Sequence, residues 1–220
     1  MRHGLREYPD SDALAKAAAS YVAELARNVV EISGTFSFAV SGGHTPWAMF
    51  EELSRSDVPW KNVVIYQVDE RVAPPGDPER NLTRLLKSLA GVCALIKPMP
   101  VDEADLDAAA KRYAAELPEH LDLVHLGLGP DGHTASLVPA DPMLDVADSL
   151  VALTAPYAGL RRMTLTYRAL ARAHQLLWLV SGDDVKRPLS LLVAGDVSIT
   201  AGRVQAEHSL IMADRSALGS

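Results

Sequence analysis

The stretch that most narrows the fold is 121–129, LDLVHLGLG, which is apolar at nearly every position instead of every second one. An alternating strand can leave one face in water, but a mostly apolar strand has to be covered on both faces, as in a parallel sheet sandwiched by its crossover helices. Residues 35–40 (TFSFAV) and 62–68 (NVVIYQV) are also strand-like. So are 149–155 (SLVALTA) and 175–182 (QLLWLVSG). Helical periods fall between and ahead of them. Leu14, Ala18, Tyr21, Val22, Leu25 and Val29 form one apolar face over 11–30. A helix opened by Pro46 follows SGGHTP, and Asp77 with Pro78 predicts the cap and first turn of a helix carrying Leu82, Leu85, Leu86 and Leu89. Another is expected from Asp102, with Asp105 at its third position, running toward Glu116 and stopping before Pro118. Strands separated by helices predict an α/β layered fold with a largely parallel sheet. With no repeat, low-complexity linker or composition break, one domain is expected over 1–220, with room for a small lid-like subregion.

Lysine and arginine number 21 against 28 aspartates and glutamates, a formal charge of −7. That balance gives no general attraction to nucleic acid or to an anionic membrane, although a local pocket can still be positive. Cys93 is the one cysteine, which excludes an intrachain disulfide framework, and its apolar neighbours predict that it is packed. MRHGLREYPD has no apolar leader, and no apolar run approaches the roughly 20 residues of a membrane span. A cytoplasmic protein is expected.

Ligands of parallel α/β sheets gather where loops leave the C-terminal strand ends. Three polar segments are predicted there: SGGHTP, VDERVAPPGDP and GPDGHTAS. In the first, Gly42 and Gly43 permit close backbone approach and, with His44 and Thr45, offer amides and side chains to an anion at a helix N-terminus; a purely structural turn is the alternative. Asp69 can orient hydroxyls or take a proton and Arg71 can clamp a phosphate or support developing negative charge, whereas a solvated charge cluster or an internal salt bridge is the plainer reading of DER alone. His133 is suited to activate water, with Asp131 assisting the imidazole or positioning the loop; a lone surface histidine is usually uninformative. Arg162 and Lys186 are further cation candidates, Lys186 just ahead of a helix expected from Pro188, though each alone is more often a surface charge. His125, inside a strand, is expected to be structural. No HExxH, EF-hand or Cys/His spacing predicts a metal, and SGGHTP matches neither the Walker A nor the GxGxxG pattern.

Taken together, SGGHTP, VDERVAP with GDPERN, LGLGPDGHTASLVP, RRMTLT and VSGDDVK resemble the 6-phosphogluconolactonase family, within the glucosamine-6-phosphate isomerase/deaminase-like superfamily. The resemblance spans about residues 38–186. It implies a doubly wound α/β fold and cofactor-free hydrolysis of a phosphorylated sugar lactone, 6-phospho-D-glucono-1,5-lactone, by a monomer or homodimer. Carried onto this chain, it makes His133 the general base and places Asp69, Arg71 and Asp131 at the reacting end. Gly42, Gly43, Thr45, Arg162 and Lys186 are then suited to the phosphate. Some positions depart from the family pattern. His44 stands where SGGSTP is common, Arg80-Asn81 where a Ser-Asn pair is common, and APYAGLRR lacks the lysine that often precedes Arg-x-Thr-Leu-Thr. Arg80 or Arg161 is a candidate to compensate for charge. Val138 occupies the place of a glutamate that the isomerase/deaminase branch uses, which favours lactone hydrolysis over isomerisation. A non-catalytic sugar-phosphate-binding regulator on the same scaffold is the alternative from another class.

Overall fold

The computed structural model of the chain describes residues 3–219. Its centre is a seven-stranded sheet in which every neighbouring pair is parallel. The strands are β1 (Gly4–Tyr8), β2 (Phe36–Val40), β3 (Val63–Gln67), β5 (Leu95–Lys97), β6 (Leu121–Leu126), β9 (Ala173–Val180) and β10 (His208–Asp214), in the spatial order β1-β10-β9-β6-β2-β3-β5. A second, antiparallel sheet has the order β4-β8-β7, from β4 (Asp69–Arg71), β8 (Arg162–Leu165) and β7 (Val151–Leu153). The expected α/β sheet is thus present, and the segment SLVALTA lies in the small sheet instead of the main one. Gly4–Tyr8, assigned to no element from the sequence, forms the edge strand β1.

The sheet sorts its side chains by period two. Phe36, Phe38 and Val40 of β2, Leu177 and Leu179 of β9, and Leu210 and Met212 of β10 join one apolar cluster, with Leu14, Val22, Phe50 and Leu53 of the helices α1 (Ser11–Ser33) and α2 (His44–Ser54). Their neighbours Ala39, Leu176, Trp178, Val180, Ile211 and Ala213 join a second. There they meet Tyr113 of α4 (Leu106–Glu116), Leu189 of α6 (Lys186–Ala194) and Met163 of the small sheet. This is the physical meaning of the mostly apolar run: both faces of the strand are core. Each large apolar side chain so buried contributes roughly 1.5–3 kcal/mol. The polar tips that go in with them are satisfied, the Trp178 indole N–H on Ser209 Oγ at 3.1 Å and the Tyr113 hydroxyl on the Gln67 carbonyl at 3.0 Å.

Helix starts needed local correction. Asp105 is the N-cap of α4, accepting from Ala108 N at 2.9 Å, so Asp102 lies ahead of the helix. The next helix back, α3 (Asn81–Ser88), begins at Asn81 and not at Pro78, because Asp77 closes a turn on Glu79 N. Similarly α6 begins at Lys186, two residues before Pro188. Two short helices, α5 (Tyr167–Leu170) and α7 (Arg215–Leu218), precede β9 and follow β10. Cys93 is exposed, not packed: it lies in the turn between α3 and the edge strand β5, where Val92, Ala94 and Ile96 pack against the core while the alternate residues Cys93 and Leu95 are exposed. No helix among the described residues is long and apolar enough to cross a membrane.

Candidate active site

The chain runs outward from β2 to β3 and β5 on one side, and from β6 to β9 and β10 on the other, so the order reverses between β2 and β6. Loops leaving two such strands diverge and open a crevice between them. Ser41–Pro46 follows β2 and Gly127–Ala135 follows β6, and both line a single pocket of about 340 Å³. Asp69 and Arg71 of β4, Arg162 of β8, and Ser181, Asp184 and Val185 after β9 complete its wall together with Asn81.

The loop after β2 enters α2 through Gly43, which provides no side-chain cap, so the first-turn amides of an 11-residue helix are left without one beside the pocket. Ser41 is buried and its Oγ has no partner. Its backbone N–H donates to His125 Nδ1 at 3.3 Å, and burial drives the His125 pKa down to about 3, so this ring is a neutral strut under the loop. Gly42 has little choice of residue: a Cβ there would overlap the Asn81 carboxamide, 3.0 Å from its Nδ2. That carboxamide binds the Asp69 carbonyl at 3.0 Å and accepts from Arg71 Nη1 at 2.7 Å.

Glu70 organises this wall from inside the core. Its carboxylate accepts from Arg71 N and Asn81 N on one oxygen, and from Gln67 Nε2 and Leu82 N on the other, at 2.7–2.9 Å. It caps α3 across a loop, which explains why the helix starts at Asn81. Asp69, also buried, accepts from Ser136 Oγ at 2.6 Å. Arg162 is buried with its Nε unpartnered. Burial lowers its pKa, with Asp69 opposing and Arg71 reinforcing. A buried guanidinium with donors to spare, close to a second one, is a standing invitation to an anion.

His133 faces the same pocket. Asp131 accepts from its Nδ1 at 2.5 Å and from its backbone N–H at 3.1 Å. Partial burial pushes the Asp131 carboxyl up, but the hydrogen bonds from His133 outweigh it and the pKa falls below its ordinary value. The ionised carboxylate accepts the Nδ1 proton, which in the neutral ring puts the lone pair on Nε2. The ring lies directly on Gly129, where a Cβ would overlap it.

The structure thus brings Gly42, Gly43, His44, Thr45, Asp69, Arg71, His133 and Arg162 around one crevice, with Asp131 behind His133. Lys186 is not brought in: it is exposed, and its aliphatic stem lies beside Gly219 while Asp184 and Val185 face the pocket. Arg80 is buried 3.7 Å from Glu70, and Arg161 is exposed. Sequence reasoning missed the organising role of Glu70 and the carboxamide role of Asn81, since Glu70 reaches across a loop to Leu82 and Asn81 packs against Gly42 on a different loop. Among the described residues no three His, Cys, Asp or Glu side chains are grouped to hold a metal ion.

Residues 9–212 match the family model of glucosamine-6-phosphate isomerases/6-phosphogluconolactonase. The 6-phosphogluconolactonase of Mesorhizobium japonicum is 35% identical over 199 residues, covering 85% of this chain and 84% of that protein. The GDH/6PGL endoplasmic bifunctional protein of Homo sapiens is 36% identical over 201 residues; the match covers 84% of this chain but 25% of that longer protein. In shape, the chain is similar to the crystal structure of a 6-phosphogluconolactonase from Shewanella baltica, with a TM-score of 0.88, 24% identity, and coverage of 97% and 98% of the two chains. The match along nearly the whole sheet and its loops makes this chain a member of the glucosamine-6-phosphate isomerase/6-phosphogluconolactonase family.

Proposed function

We propose that this chain hydrolyses 6-phospho-D-glucono-1,5-lactone to 6-phosphogluconate, with His133 as the base that activates water. The observation carrying the proposal is the 2.5 Å contact between His133 Nδ1 and Asp131 on a residue that lines the pocket, which leaves Nε2 as the ring nitrogen able to act as base. The substrate's phosphate would sit against the uncapped start of α2, with Thr45 and a buried arginine as donors. The lactone would then reach toward His133. Nε2 takes a proton as the water oxygen bonds to the carbonyl carbon; Arg71 or Arg162 steadies the oxyanion. Collapse breaks the bond to the ring oxygen, which receives the proton from His133. A lactone is an activated ester, so positioning, a base and positive charge suffice without a covalent intermediate. Nucleophilic catalysis by Ser136 is disfavoured because its side chain is fully buried and is not part of the pocket wall.

An aldose-ketose isomerisation needs further acid/base groups. Past His133 the wall continues as Thr134 and Ala135, and Val138 is buried apolar core facing no carboxylate role. The second sheet would serve as the small lid-like part of one lactonase domain, closing over the strand ends.

The test compares wild type with His133→Ala on freshly prepared lactone, corrected for spontaneous opening. A loss of about 10²–10⁴-fold in kcat is expected. Equal robust rates reject His133 as the base; no wild-type rate on this substrate, with turnover of glucosamine 6-phosphate, rejects the lactonase reading.

A further inference from the structure

We propose that Tyr157 is a positioning residue of this site, holding the base pair of Asp131 and His133 and the cation Arg162 in one arrangement. The inference rests on the lactonase reading for its kinetics, though not for its geometry. Tyr157 lies in APYAGLRR, the segment in which this chain departs from its family's usual pattern, between β7 and β8.

Three contacts converge on this side chain. The His133 ring meets the Tyr157 ring edge-to-face, centroids 5.6 Å apart and planes at 62°. The Arg162 guanidinium carbon stands 5.0 Å from the Tyr157 ring centroid. The Tyr157 hydroxyl reaches Asp131 Oδ2 at 3.4 Å, while Oδ1 of the same carboxylate takes the His133 Nδ1 proton. His133 and Arg162 line the pocket, whereas Tyr157 is not part of its wall. It therefore acts through the residues that face the ligand.

The choice of an aromatic partner for Arg162 has a chemical consequence. A carboxylate would engage the guanidinium N–H groups and cancel the charge. A ring face attracts the cation while leaving the in-plane donors free. Among the described residues the Arg162 side chain makes no hydrogen bond, and its Nε is buried and unpartnered. The ring thus holds a buried cation in place without using up its donors.

The backbone fixes the ring's position. Tyr157 and Leu160 exchange backbone hydrogen bonds at 3.0 and 3.3 Å around a two-residue hairpin turn. Both central residues are left-handed, Ala158 at φ 51° and Gly159 at φ 84°. An alanine in that region is strained, so the turn is held by its surroundings instead of by its own preference.

The experiment uses Tyr157→Phe, which keeps the ring, and Tyr157→Leu, which keeps apolar bulk without a π face. Steady-state kinetics on the lactone and ¹⁵N-edited NMR of the His133 imidazole are read for each. Tyr157→Phe should stay within about threefold of wild type in kcat and KM. Tyr157→Leu should raise KM about 3- to 30-fold, the range of a partly desolvated cation–π contact. It should also broaden or lose the Nδ1–H resonance of His133 that wild type and Tyr157→Phe retain. A merely structural role would lower the active fraction without moving KM or the imidazole signal of the folded molecules. Wild-type values of either readout in Tyr157→Leu overturn the inference. If wild type itself turns over no lactone, the proposed function fails, and the imidazole spectrum alone decides the role of Tyr157.

Discussion

Gly129→Ala isolates the placement of His133 from its chemistry. Gly129 is not in the left-handed backbone region, so alanine brings no conformational strain, and the effect is steric. The new Cβ would overlap His133 Cε1 and Nδ1 and come 3.0 Å from Cγ. Restoring ordinary van der Waals separation moves the ring by on the order of 1 Å, a displacement that costs about 10²-fold in rate when it misplaces a reacting group. The 2.5 Å contact to Asp131 cannot survive that move unless the carboxylate follows. Because the phosphate-facing wall is built by other loops, kcat should fall by about 10²-fold while KM changes less than about threefold. The stability loss should be within about 1–3 kcal/mol, as for a modest overpacking. Initial rates on fresh lactone, with a urea melt to confirm folding, provide the check. A folded Gly129→Ala enzyme with kcat within threefold of wild type would refute the claim that the imidazole must rest on this backbone.

Other perturbations probe the supports. Glu70→Gln keeps the shape but turns an amide donor toward N–H groups that now face a carboxylate; a loss of about 2–4 kcal/mol in urea unfolding is expected, and an unchanged midpoint would remove Glu70 as the organiser. Ala158→Asn suits the left-handed first position of the hairpin turn and should stabilise by about 1 kcal/mol, roughly 2–4 °C in Tm; a lower Tm would contradict the assigned turn. His125 is neutral when folded, with its pKa lowered to about 3 from 6.5, so above pH 6.5 it contributes no pH dependence. As pH falls below 6.5 the unfolded chain takes up a proton that the folded chain refuses, and stability drops by up to about 1.4 kcal/mol per pH unit down to the folded pKa. His125→Asn keeps an acceptor for Ser41 N–H but cannot titrate. Its unfolding free energy should fall less steeply between pH 6.5 and 5 than that of wild type, and parallel slopes would contradict a buried neutral imidazole.

The fold was legible wherever one segment carries its own reason. The run from Leu121 to Leu126 is apolar on both faces, and that alone demands cover above and below the sheet. The helix read over 11–30 is equally self-contained through its one apolar face, and the structure extends it to Ser33 and adds the Asp10 cap. Legibility fails where a boundary is decided from elsewhere. Asp77 and Pro78 make a good local helix start, but the amides that a cap must satisfy are satisfied by Glu70, which belongs to another strand. The small sheet was missed for a related reason: Asp69–Arg71 is three residues long and polar, and pairs as a strand only because Arg162–Leu165 lies against it. Cys93 failed in the opposite direction, since local apolarity does not say which alternate residues of a segment face the core: Val92 and Ala94 pack against it and Cys93 does not.

The site divides along the same line. Residues that belong to a loop leaving a strand end were readable, because a glycine-rich turn or a histidine after an apolar strand has few purposes there. Residues that make those groups usable were not: Asn81 against Gly42, Ser136 on Asp69 and Tyr157 beside His133 act across the chain and have no local signature. Lys186 shows the converse hazard. It has the right charge at a helix start, yet it is exposed and outside the pocket lining, while the adjacent Val185 is buried and lines the pocket. A basic residue one position out of phase on a helix is turned by about 100°, so composition near a site is a weaker guide than phase. Arg162 illustrates the stronger one: its strand alternation forces it inward, burial strips its solvent, and only an arrangement that leaves its donors free makes such a cation useful.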